Sequence, residues 1–298
     1  MSGDVQSTGA GTAVQEGDTE TEHPSPTAPG SSRLLKTIVG RELQTIVRTR
    51  MFFILGIAFA AVLLGIAWVG GSVEAGYVPT VVDLLTPLEL LVPVIAIAFG
   101  YRAILGDEQR GELDVLETYP ISNREIVLGV YAGRAVGLLT VILVPLVAVA
   151  AMVFLFEADG LSIYATHSGA DSPILFARFI VLTLLFALTV LAVAIAISSL
   201  VSATRSALAL SVVALVGLVI GLDLLLVYGF SIGLIGDSAL IHSLAISPLS
   251  AYRGLVFESV VVVAAGTGPA VASPIASIVG LVVWLGASLG IAVWALNR

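Results

Sequence analysis

The chain has 298 residues, a net charge of −8, and 11% charged against 58% hydrophobic residues. A soluble domain carries roughly 25% charged residues, so a water-facing surface for a body of this size is excluded and the bilayer is the solvent that fits. The absence of cysteine excludes disulfides, Cys-rich metal sites and thiol nucleophiles, and three scattered histidines (His23, His167 and His242) argue against a His-based metal site.

Residues 1–32 hold Asp4, Glu16, Asp18, Glu20 and Glu22, no Lys or Arg, and much Gly, Ser, Thr and Pro. This composition predicts a disordered acidic tail. It lacks the basic start and apolar core of a signal peptide. In residues 34–50, Leu35, Ile38, Val39, Leu43, Ile46 and Val47 recur at helical spacing beside Lys36, Arg41, Arg48 and Arg50. That pattern predicts an amphipathic helix lying on the membrane surface, ahead of a membrane domain over 33–298.

A spanning helix needs about 20 mostly apolar residues. Six stretches meet that requirement: 51–69, 78–99, 129–156, 174–200, 206–228 and 274–296. The fold class is therefore an all-α integral membrane protein with about six transmembrane helices. The second stretch carries Asp83, Glu89, Pro87 and Pro93, and the fifth carries Asp223. Between the fifth and sixth, residues 235–268 read as an outer loop with short helices that dip into the membrane; a seventh span is the alternative. Arg134 and Arg178 lie near span boundaries, where snorkelling to the headgroups accounts for them. Gly129, Gly133 and Gly137 form a small-xxx-small ladder, a signal of close helix packing.

Orientation follows from the basic residues. Six spans place Arg33, Lys36, Arg41, Arg48, Arg50, Arg102, Arg110, Arg124, Arg134, Arg205 and Arg298 on one side, and only Arg178 and Arg253 on the other. The basic side is assigned to the cytoplasm, with both termini there.

The densest charge cluster follows the second span, from Tyr101 to Glu125. It predicts a short helix, a turn at Pro120 and a new helix capped by Ser122, with Glu125 at capping-box spacing. Leu113 and Leu116 share a helix face that could enter a groove on a partner; a solvated loop kept out of the lipid by its charges is the plainer reading.

The detail of this loop carries a family resemblance. Glu108, Gly111, Glu112, Leu113, Leu116, Pro120, Ser122 and Arg124 follow in an order similar to the signature of type-2 ABC transporter permeases. Arg41-Glu42-Leu43 resembles that family's connecting helix, and Ser247-Pro248-Leu249-Ser250-Ala251-Tyr252-Arg253 resembles its outer element before the last span. The loop departs from the pattern in three places. Glu108 lies one residue closer to Gly111, Glu112 stands where Thr is common, and Asn123 separates Ser122 from Arg124. Within the family the chain looks most similar to the NosY-like group, linked to maturation of the copper enzyme nitrous-oxide reductase. Its acidic, lysine-poor composition resembles proteins of salt-loving archaea.

The resemblance implies a permease half that forms the translocation pathway in the cell membrane, with export as the expected direction. Glu108, Arg110, Gly111, Glu112, Leu113, Leu116 and Pro120 would form the coupling helix, seated on a separate ABC ATPase subunit. Asp83, Glu89, Asp223, Pro248 and Arg253 are candidates for the pathway or an outer gate. The implied partners are the ATPase, a second permease copy or homologue, and the lipid bilayer, with no nucleic acid. This chain would bind no cofactor of its own, ATP being hydrolysed by the partner. The residues agree with that division of labour: the sole lysine, Lys36, follows Leu35, so no P-loop is present. Two other classes stand beside this reading. A secondary transporter or channel would use the intramembrane acids. An intramembrane enzyme would need a catalytic motif such as Gly-x-Gly-Asp or HExxH, and none occurs.

Overall fold

The computed structural model describes residues 39–42, 44, 48–111, 122–157, 171–266 and 270–298. The acidic tail, most of the expected surface helix and the loop residues 112–121 lie outside the described residues. Among the described residues every regular element is helical. They are α1 (Arg50–Val69), α2 (Ser72–Ala75), α3 (Tyr77–Gly100), α4 (Leu105–Gln109), α5 (Asn123–Phe156) and α6 (Pro173–Leu200). Then follow α7 (Thr204–Ser231), α8 (Asp237–Ser243), α9 (Pro248–Ala265) and α10 (Pro274–Leu296).

Local chemistry sets several helix ends. Ser122 and Glu125 form a reciprocal capping box at the start of α5, with the Ser122 N–H donating to Glu125 Oε2 at 2.9 Å. That arrangement satisfies two of the donors that a helix start leaves orphaned. Gly111 adopts a left-handed φ of 69° just beyond α4, a turn that favours glycine. α3 runs through Pro87 and Pro93 without a break.

α6 is the centre of the bundle. It packs along α3 on one side and α10 on the other, with α5 and α9 also against it. Phe176, Phe179, Phe186, Val190, Leu191 and Ile195 fill that core. α1 lies outside, burying only Phe59, Leu63 and Ala67, four residues apart on one stripe. Large apolar side chains such as Phe154, Val69 and Ile275 stand more than 70% exposed around the perimeter. In water such a surface would aggregate, whereas in lipid it is the surface a bundle needs.

Cross-chain contacts sort the helix ends into two groups. At the basic end, Asn123 Nδ2 donates to the Leu296 carbonyl at 3.0 Å, and the backbone N–H groups of Ile104 and Leu105 donate to Ser198 Oγ at 3.0 and 3.1 Å. At the opposite end, Trp68 meets Phe156 edge-on at 5.3 Å, and the Val78 N–H donates to Asp171 Oδ1 at 2.9 Å.

Among the described residues, seven helices are long and apolar enough to cross a membrane. α9 is one of them: between the fifth and sixth spans, where only short helices are expected, the short α8 is followed by a continuous 18-residue helix. Its placement nonetheless makes it re-entrant. Ser247, just before α9, bonds Asp223, about 12 Å along α7 from that helix's Ser231 end. Trp284, about 15 Å into α10, donates to the Ile246 carbonyl. Further along α9, the Ser259 carbonyl accepts from Arg178, near the start of α6. So α8 descends from the end opposite the basic one, the chain turns at 246–248, and α9 climbs back to the same end. Among the described residues six helices run the length of the bundle, and α8–α9 form a hairpin within it.

Candidate functional site

Two polar clusters interrupt this apolar body. The first sits where the hairpin turns. Glu89 on α3, 6% exposed, pairs with Arg253 on α9 through both carboxylate oxygens, at 2.6 Å from Nε and 2.5 Å from Nη2. Such two-point pairing fixes geometry as well as supplying attraction. Asp223 on α7 accepts from Ser247 Oγ at 2.6 Å and Ser250 Oγ at 2.8 Å, both on Oδ1. Ser247 also caps α9 by accepting from the Ser250 N–H, and Pro248 occupies the first helical position. The turn therefore brings a carboxylate to a helix start, where the dipole favours negative charge.

Below the turn, Tyr252 is fully buried, stacked on Phe186 with ring centroids 4.7 Å apart. Its hydroxyl lies 2.9 Å from Thr183 Oγ1. The hairpin also leans on α10, where a Cβ on Gly280 would lie 2.2 Å from the Ala245 carbonyl oxygen. Asp83 is elsewhere: it is exposed and lies beside Gly70 at the turn after α1. Glu89 and Asp223 thus meet at the start of α9 while Asp83 stands apart, and no group of three or more metal-ligating side chains occurs among the described residues.

The second cluster lies at the basic end and roots the charged loop. Asp107 in α4 is 1% exposed and bridges Arg41 Nη2 at 2.6 Å and Arg110 Nη2 at 2.5 Å. Beside it, Glu42 is 2% exposed and lies 2.7 Å from Arg134 Nε on α5. The Arg134 guanidinium also sits 5.9 Å from the centre of the Phe52 ring. Arg134 therefore does not snorkel. It is 8% exposed, and the attraction of a buried carboxylate outweighs escape to the headgroups. Gly133 makes this approach feasible, since a Cβ there would lie 2.4 Å from Glu42 Cβ. One rung of the glycine ladder thus packs the N-terminal helical residues against α5.

Glu108 and Arg110 are exposed beside this anchor, and Gly111 closes it. Glu112, Leu113, Leu116 and Pro120 lie outside the described residues. Asp107, Glu42, Ser198 and the serine pair 247/250 were not singled out as site residues in the sequence. Each gains its role from a partner dozens of residues away, such as Arg41 and Asp107, 66 positions apart.

Comparison with known proteins identifies the scaffold that carries these clusters. The family model for ABC-2 family transporter proteins matches residues 36–298. A probable ABC transporter permease protein NosY from Pseudomonas aeruginosa is 32% identical over 271 residues, which cover 86% of this chain and 95% of that protein. A probable NosY permease from Stutzerimonas stutzeri is 30% identical over 226 residues, covering 72% of this chain and 78% of that one. The match spans all of the helical body just described, and the chain belongs to the ABC-2 family of transporter proteins, as a membrane permease subunit of an ATP-binding cassette transporter.

Proposed function

We propose that this permease receives mechanical work from a separate ATPase at its basic end, which faces the cytoplasm together with both termini, and uses it to move a solute outward across the cell membrane. The observation that carries the reading is the rooting of the charged loop. The segment beginning at Glu108 leaves the bundle at Asp107, a nearly inaccessible carboxylate shared by arginines on two elements. Ser198 ties the same short helix to α6. A displacement of the loop is therefore delivered to α3, α6 and the N-terminal helical residues rather than lost in a slack linker. In this reading Leu113 and Leu116 dock in a groove on the ATPase, and Glu112 and Pro120 shape that coupling helix.

The hairpin α8–α9 is the gate at the far end of the route, held by Glu89, Arg253, Asp223 and Pro248. Two permease halves, identical or homologous, enclose the route. Similarity to two NosY permeases supports placing this chain in the NosY-like group. Glu89 is taken up by Arg253 and Asp223 by two serine hydroxyls, while Asp83 stands apart at the turn after α1, which weighs against a self-contained ion transporter built on those acids.

The coupling surface is tested by Leu113→Asp combined with Leu116→Asp. The variant should insert normally and lose the co-purifying ATPase. Retention of the ATPase at parental stoichiometry would rule out this docking face.

A further inference from the structure

α7, like α1, buries little of itself against the rest of the chain. Over its 28 residues it buries only Ala207, Ser211, Leu218 and Gly229. Its packing against α3, α6 and α9 is sparse, in contrast to the dense α3–α6 and α6–α10 seams. Side-chain hydrogen bonds tie it in two places. At the basic end Thr204 Oγ1 donates to Gln109 Oε1 at 3.2 Å, and toward the other end Asp223 accepts from Ser247 and Ser250. Between these ties the backbone forms a π-helical turn, Gly217–Gly221, with a glycine at each end.

Those glycines are not explained by crowding. A Cβ on Gly217 would meet nothing within 4 Å, and one on Gly221 only the Val216 carbonyl oxygen at 3.8 Å. They do leave a stretch of backbone that is easily bent, and π turns and glycines are recurrent sites of helix bending. The Asp223 tie has a matching character. It is made of one carboxylate oxygen and two hydroxyls, strong while water is excluded and readily replaced once water enters.

We propose that α7 is the element of this permease that swings when the route opens, bending at Gly217–Gly221, and that Asp223 is the catch that holds its outer third on the hairpin. The proposal rests on the permease reading above and adds to it the moving element and the contact that must break. Glu89 and Arg253 play a different part: they fasten the hairpin to α3, which is packed along α6, so that the hairpin stays with the bundle while α7 leaves it.

The absence of native cysteine allows spin labels to be placed at Tyr228→Cys on α7 and Ile275→Cys on α10, both exposed near the same end. The distance between labels is then measured in lipid nanodiscs, with labelled chains diluted by unlabelled ones. The parent should show one dominant short distance. Asp223→Ala should raise a second, longer population about tenfold, the scale of a lost charge-assisted hydrogen bond. Ser247→Ala with Ser250→Ala should do the same while leaving the carboxylate in place, and it decides the matter where Asp223→Ala fails to fold. Asp223→Asn keeps an acceptor oxygen but loses the charge, and should fall between the parent and Asp223→Ala. A single parental distance in both the alanine and the double-serine variants would overturn the catch. So would Asp223→Asn matching Asp223→Ala while the serine variant is silent, since charge alone would then be the active property. Co-purification of the ATPase with the labelled parent reports on the permease reading separately.

Discussion

At the scale of single residues, the pair Glu42–Arg134 shows how this protein keeps charge inside an apolar body. Glu42 is also bonded by Arg41 Nη2 at 3.1 Å, so Arg134 is the member of the pair that depends on it most. Removing one partner of a buried pair costs about 3–5 kcal/mol because the other is stranded without water. Arg134→Met should therefore lower the thermal midpoint of the detergent-solubilised protein markedly, whereas Glu42→Gln with Arg134→Met should recover much of the loss. A double variant as unstable as Arg134→Met alone would show that the guanidinium is held by something other than Glu42. Gly133 belongs to the same unit. Gly133→Ala forces the Glu42 side chain away and should weaken this end by about 1–3 kcal/mol, the usual range for overpacking, read as a lower midpoint. Tyr252 offers a milder case: Tyr252→Phe keeps the stack on Phe186 and loses the Thr183 hydroxyl contact, for a loss of about 1 kcal/mol.

At the scale of elements, the apolar runs announced themselves because a bilayer demands length and continuity. The helices Arg50–Val69, Pro173–Leu200 and Pro274–Leu296 stand where uninterrupted apolar stretches stand. α9 did not announce itself. Arg253 and Glu258 interrupt its apolar pattern, and its charges are tolerable only because the hairpin turns them toward Glu89 on α3 and the Val271 N–H. The Ser122–Glu125 spacing was readable because a capping box is local. The Glu89–Arg253 pair spans 164 positions and leaves no local trace. Glu89→Gln should loosen the hairpin from α3 while sparing its seat on α6 and α10. Cysteines introduced on α9 should then become more reactive to a water-soluble thiol reagent in membranes, and unchanged reactivity would show that apolar packing alone holds the hairpin.

At the scale of the whole molecule, one polar cluster sits at the basic end of the helical body and the other near its middle, and α3 links them. Its Gly100 end leads into Asp107 and the charged loop, while Glu89 reaches the hairpin from its middle. In the proposed mechanism work applied at the basic end would travel along α3, with α7 as the thinly held element beside it. Family membership implies a separate ATP-binding cassette ATPase as the source of that work. The most direct test of this account is affinity purification of the chain from its native membrane in mild detergent, with partners identified by mass spectrometry. A P-loop ATPase should be recovered in fixed stoichiometry and be lost in the Leu113→Asp, Leu116→Asp variant. Repeated recovery of intact, folded permease with no ATPase would contradict it.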